Sequence, residues 1–233
     1  MCERYVLPDQ FAAEREFLPS TAWWRFAPRF NVAIGQYVPA IRMHEGQSEG
    51  VMMRWGLIPS WAEGMPTREP AAGVEPDRIE HSEIFGPPWR SGQRCILPVS
   101  GFYLWRLTSG GYRQPFFVRL VDRHVFAVAG IWDRSESEDG DVIESCSMIC
   151  VAPNELVAHT AHPQRHMPAI LRRRDYETWL RGTSAQARGT LQSYRPDWMQ
   201  AHAISPRINS LVHEDPGLIR PTTESAPAAV GNN

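Results

Sequence analysis

The chain has no lysine at all; its 24 basic residues are all arginine, against 26 acidic ones, for a formal charge of −2. That balance argues against indiscriminate nucleic-acid binding, which needs a net basic surface, although a local basic groove is compatible with it. Without lysine, Schiff-base chemistry has only the α-amine of the N-terminus to work through. Cysteine is scarce: four in 233 residues, at 2, 95, 146 and 150. So few thiols do not make a disulfide scaffold, and a reduced, cytoplasmic protein is the simplest expectation. No apolar run is long enough to span a bilayer and no secretory signal pattern opens the chain, so no membrane partner is expected.

What is present reads as one α+β domain with a β-rich core of mostly antiparallel strands and a few peripheral helices. Strands are predicted at Tyr37–Met43, Gly50–Leu57, Arg94–Trp105, Pro115–Leu120, Val125–Asp133 and Ile143–Ala152, where β-branched and aromatic runs are bounded by Gly, Pro or polar turns. Ser135–Asp141 is acidic and reads as an exposed hairpin loop. Helices are predicted at Asp9–Phe17, Arg174–Arg181 and Ser184–Tyr194. The domain is expected over 1–221, with 222–233 a small, polar, disordered tail. Nine tryptophans mostly fill a core on this reading. Trp55 and Trp61 flank a Pro-containing turn, and beside arginines they are candidates for stacking on unpaired bases.

Removal of Met1 would expose Cys2 with a free amine (pKa about 8) and a thiol (about 8.5), both partly deprotonated at neutral pH. Together they trap an aldehyde: the amine condenses to an imine and the thiol closes a thiazolidine. An internal cysteine cannot do this, because its nitrogen is an amide. Position alone, however, favours an incidental second residue on a frayed end.

Several other segments shift that balance. Met1-Cys2-Glu3-Arg4 resembles the Met-Cys-x-Arg opening of the SOS-response-associated peptidase family. Phe30-Asn31-Val32-Ala33 is similar to its Tyr-Asn-Val-Ala-Pro block, and Arg54-Trp55-Gly56-Leu57-Ile58-Pro59-Ser60-Trp61 to its Trp-Gly-Leu-Ile-Pro-x-Trp block. Arg94–Tyr103, Phe126–Asp133, Asn154–Leu171 and Ser205–Pro221 resemble further blocks, in the family's order. The resemblance implies a single-stranded DNA partner bearing abasic sites, and a covalent thiazolidine from Cys2 to the ring-opened sugar. It also implies self-processing that exposes Cys2, a DNA damage (SOS) setting, and a supporting asparagine, glutamate and histidine. No cofactor is expected. Arg4, Asn31, Arg54, Trp55 and Trp61 are expected to form one DNA-binding face.

Two positions depart from the pattern. Leu104 stands where the family's Gly-Phe-Tyr-Glu-Trp segment has its glutamate, and Gly73-Val74-Glu75-Pro76-Asp77 matches its Asn-Ala-Arg-x-Glu block with Gly73 for the asparagine and Glu75 for the arginine. His162 is the candidate catalytic histidine, with His159 and His166 as alternatives. A weakened paralogue that binds nucleic acid without crosslinking, or a cysteine peptidase limited to self-processing, are the competing readings. Cys146-x3-Cys150 with His162-x3-His166 has zinc-site spacing, but Ser145–Ala152 reads as a strand and Pro163 interrupts the second pair, so no metal is expected.

Overall fold

A computed structural model describes residues 3–67, 71–161 and 166–222. Its strands are β1 (Arg4–Leu7), β2 (Thr21–Ala22), β3 (Arg29–Ala33), β4 (Tyr37–His44), β5 (Gln47–Trp55), β6 (Gly73–Val74), β7 (Arg94–Val99), β8 (Gly101–Leu107), β9 (Arg113–Leu120), β10 (Phe126–Glu136), β11 (Val142–Val151), β12 (Met167–Pro168), β13 (Ile170–Leu171) and β14 (Met199–Ala203). Helices are α1 (Gln10–Phe17), α2 (Pro76–Ile79), α3 (Gly86–Arg90), α4 (Glu155–Thr160), α5 (Tyr176–Arg181) and α6 (Ser184–Gly189). No helix among the described residues is long and apolar enough to cross a membrane.

The strands form two sheets. One runs in the order β14-β9-β8-β1-β3. The other runs β12-β11-β10-β7-β4-β5-β2, and β11 also pairs with β5 in parallel, Ser145 opposite Arg54 and Cys146 opposite Trp55. That extra pairing closes β5, β4, β7, β10 and β11 into a ring, so these strands have few free edges. The main core lies inside the ring and between it and the first sheet; it includes Trp24, Trp55, Trp89 and Trp179, all fully buried. Most of the expected α+β architecture is therefore present.

Three local outcomes differ from the sequence reading. The long strand expected over Arg94–Trp105 breaks at Ser100: β7 pairs with β10 and β4 in one sheet, and β8 with β1 and β9 in the other. Gly101 permits the crossing, because a Cβ there would run into the Phe117 ring and the Val118 carbonyl. The hairpin loop is shorter than Ser135–Asp141, since β10 continues to Glu136 and the turn closes through Ser137 N–H to Asp141 O at 2.9 Å with Gly140 at φ 83°. The helix expected to reach Tyr194 stops at Gly189 after starting at a Thr183–Gln186 capping box. Helix α1 starts as expected, with Asp9 accepting from Ala12 N–H. Residues 223–233 of the expected tail lie outside the described residues.

Candidate nucleic-acid interface and acid–base cleft

Strand β1 emerges from the chain's N-terminus between β3 and β8, with Tyr5 opposite Phe102 and Arg4 opposite Ala33. Alternation of side chains splits the two neighbours. Tyr5 enters the main core and meets the Trp55 ring edge-on at 5.1 Å, while Val6 joins the smaller cluster of Tyr103, Phe117, Ile204, Ile208 and Leu218. Arg4 donates to Asn31 Oδ1 at 2.9 Å and approaches the Ile208 carbonyl at 3.5 Å. Both acceptors are neutral, and Arg4 forms no ion pair among the described residues. Burial pulls its pKa below the usual arginine value and the charge of Glu3 pushes it back up. Arg54 donates to the Gly56 carbonyl at 2.9 Å and lies against Gly35, so Arg4 and Arg54 flank the same β3–β4 turn.

The rest of the expected DNA face does not assemble there. Trp55 is fully buried and spends its indole N–H on the Ala72 carbonyl at 3.1 Å. It presents no free ring face, so its candidacy for stacking on a base is corrected: it is a core residue. Asn31 is 1% exposed, and its amide donates to the carbonyls of Ser210 and His213, each at 3.0 Å, while its oxygen serves Arg4. With those partners it fastens the C-terminal segment across β1 and has no polar atom left for DNA, which corrects its placement on that face too. Trp61 is 57% exposed, and its indole N–H points at the Glu83 carbonyl, 3.4 Å away.

The block containing Trp55 acts as a scaffold. Gly56, at φ 106°, donates to the Cys146 carbonyl at 2.8 Å, and Leu57 N–H to the Ala71 carbonyl at 3.0 Å. Together with Trp55 these clamp the segment leading into β6, which runs beside β11 with Gly73 opposite Met148. Beyond it opens a cleft of about 670 Å³ whose walls include Gly73, Glu75, Arg78, His81, Cys150 and His166. The stretch bearing Ser82 and Phe85 also lines it, and Trp61 reaches the carbonyl of the intervening Glu83.

Inside the cleft His166 Nε2 lies 2.9 Å from Glu75 Oε1. A carboxylate that fixes an imidazole is the arrangement used to hold and move a proton near neutral pH. Glu75, which stands for the arginine of the family's block, has its carboxylate against the His166 imidazole. Nothing in the linear spacing signals this pair, because β6 and the segment before β12 meet only through β11. His159 instead points Nδ1 at its own helix's Glu155 carbonyl, 2.7 Å away, and is exposed. Arg106 of β8 donates to the Thr160 carbonyl at 2.7 Å, tying the end of α4 to β8. Cys2 and His162 lie outside the described residues.

Leu104, where a glutamate was expected, is 1% exposed and belongs to the main core. The zinc pattern fails on geometry. Cys146 and Cys150 lie four residues apart on β11, roughly 13 Å along an extended strand, while one zinc holds each sulfur at about 2.3 Å.

The family model for the SOS response associated peptidases (SRAP) matches residues 1–211. The chain belongs to this family. Its relatives include the abasic site processing protein YoqW of Bacillus subtilis, 29% identical over 229 residues, covering 94% of this chain and 99% of that one. Another is the abasic site processing protein HMCES of Gallus gallus, 27% identical, covering 88% of this chain and 70% of that one. Among solved structures, a protein from Bacteroides thetaiotaomicron superposes with a TM-score of 0.71 at 26% identity, covering 81% of this chain and 82% of that one. One from Bordetella bronchiseptica gives 0.75 at 22%, covering 88% and 100%, and that likeness speaks to fold alone.

Proposed function

We propose that this SRAP-family chain processes abasic sites in single-stranded DNA and shields them by a covalent thiazolidine through Cys2. The observation that carries the reading is that the family match begins at residue 1 and so includes Cys2 and Arg4, with relatives named abasic site processing proteins. After Met1 is removed, the α-amine of Cys2 attacks the aldehyde carbon of the ring-opened sugar. Water leaves to give the imine, the thiolate sulfur adds to the imine carbon, and the thiol proton ends on the ring nitrogen. Arg4 offers its guanidinium to a neighbouring phosphate. Arg54 is a second such group at the same turn. Trp61 supplies an exposed ring for a base, and the Glu75–His166 pair supplies proton transfer in the cleft, in the place of the histidine expected at 162.

The test is incubation with an abasic-site oligonucleotide, read on a denaturing gel. The expected result is an adduct that resists denaturation and disappears in Cys2→Ala. Intact mass should show material lacking Met1. Absence of any adduct in such material, or an adduct that survives Cys2→Ala, overturns the covalent reading. His166→Gln should slow adduct formation by about 10²-fold or more if the pair carries the proton.

A second reading has its own observation. Leu104 cannot transfer a proton and is sealed in apolar packing, which favours a paralogue that binds the strand without crosslinking. Salt-sensitive binding with no adduct would select it.

A further inference from the structure

Arginines from three separate stretches meet at the end of the five-stranded sheet away from Arg4. Arg123 sits in the β9–β10 turn, Arg172, Arg173 and Arg174 follow β13, and Arg195 precedes β14. All five line one groove of about 410 Å³, together with Tyr194 and Trp198. Arg172 and Arg174 also line an adjoining pit of about 90 Å³, with Thr190, Gln192 and Ser193.

Three of the five arginines have an acidic partner, and the side chains of Arg123 and Arg172 do not. Glu16 takes Arg173 through paired contacts. Asp197 is 3.3 Å from Arg195, and Asp175 is 3.8 Å from Arg174. Asp122 acts on the Tyr194 phenol, against the opposing charges of Arg123 and Arg172. The side chains of Arg123 and Arg172 make no hydrogen bond or ion pair among the described residues. Like charges gathered without partners repel one another, and a bound anion relieves that repulsion. Guanidinium groups match phosphate oxygens in geometry.

The aromatic component narrows the anion further. Trp198 is 42% exposed, with the Arg195 guanidinium 5.0 Å from its ring centre and Tyr194 packed edge-on at 6.0 Å. A fixed ring beside a row of arginines suits a chain that alternates phosphates with flat bases.

We propose that this groove is a second contact surface for single-stranded nucleic acid, with phosphates on Arg123 and Arg172 and a base on Trp198. It extends the DNA reading above, which assigned only the Arg4 end and the cleft. The two ends are separated along the sheet. Tyr103, on the strand beside Arg4's, pairs with Phe117, and β9 runs on from there to Leu120, roughly 10 Å at 3.3 Å per residue, before the turn bearing Arg123.

The experiment is a salt titration of binding to an unmodified strand of about 20 nucleotides, by fluorescence anisotropy, for the full chain and for the double variant Arg123→Gln, Arg172→Gln. Neither side chain has a partner to lose, so both variants should fold, which thermal melting checks. The slope of log affinity against log salt should fall in magnitude by about 1.4, two phosphates at ~0.7 each for a single strand. Trp198→Ala should weaken binding at least about fivefold. An unchanged slope and affinity in both folded variants overturns the inference, as does loss of binding to an acidic peptide with DNA affinity intact. The covalent step is read separately with the abasic oligonucleotide. An adduct with an unmoved slope removes the groove alone. A moved slope with no adduct supports the groove and removes the crosslinking reading.

Discussion

Strands β1 and β8 send alternate side chains into two different settings. On the inner side Tyr5, Leu7, Phe102 and Leu104 join the main core, where the only polar atom they bring, the Tyr5 hydroxyl, has no partner. On the outer side Arg4, Tyr103 and Trp105 bond to Asn31, the Phe30 carbonyl and Asn209 respectively, under the C-terminal segment. The inner side tolerates change in volume or charge poorly, because nothing there can solvate or pair it. The outer side is a network of specific polar contacts, and it is the side that holds Arg4 near the N-terminus. Leu104 accordingly brings no polar atom to the inner side, while Arg4 keeps its polar partners on the outer one.

The largest expected effect breaks the inner side. Leu104→Glu places a carboxylate among apolar side chains and should cost several kcal/mol in urea unfolding at neutral pH. Burial raises such a carboxyl's pKa in the folded state above about 4.3, its unfolded value. The folded form then binds more protons, so the penalty is fullest above the folded pKa and is relieved as pH falls toward the unfolded one. A variant as stable as the parent at neutral pH, with no such relief, would show that Leu104 faces a hydrated pocket.

Next comes the contrast between Trp55 and Trp61, which one sequence motif groups together. Trp55→Ala should cost about 3–5 kcal/mol of stability through the cavity it leaves. Trp61→Ala should stay within about 0.5 kcal/mol, yet weaken single-strand binding by roughly 1–3 kcal/mol if its ring carries a base. Equal stability losses, measured by denaturant melts, would erase the distinction between the buried ring and the exposed one.

On the outer side, Asn31→Ala leaves the Ser210 and His213 carbonyls without their donor and Arg4 without its acceptor. A loss of roughly 1–3 kcal/mol is expected, with faster hydrogen exchange at the backbone N–H groups of Phe30 and Asn31, which Glu214 now accepts. Loss of stability without that local change would mean that Asn31 does not fasten the C-terminal segment.

The smallest effect concerns thiols. Burial pushes the Cys146 thiol up to about 12 and the Cys95 thiol well above its ordinary value. Both should resist alkylation of the native protein at pH 8, where an exposed cysteine at an N-terminus reacts. Peptide mapping of labelled protein showing Cys95 or Cys146 modified before unfolding would place them in a looser core.

The sequence by itself determined the strand-rich class, the order of the family blocks, the absence of lysine, and Cys2 as the one residue able to present both amine and thiol. Those properties are local or compositional: periodicity, turn residues and motif order survive in one dimension. It also located a hairpin loop within Ser135–Asp141 and helices opening at Asp9 and Ser184, because turn and capping contacts span only a few residues. Only the tertiary structure decided that Trp55 is buried while Trp61 is not, that Asn31 ties down a segment near the far end of the chain, that Glu75 meets His166, and that five arginines from three stretches line one groove. Each of these depends on which residues strand pairing brings opposite one another, through the ring closed by β11 on β5 and the crossing at Gly101, and such long-range register leaves no mark in the spacing of neighbouring residues.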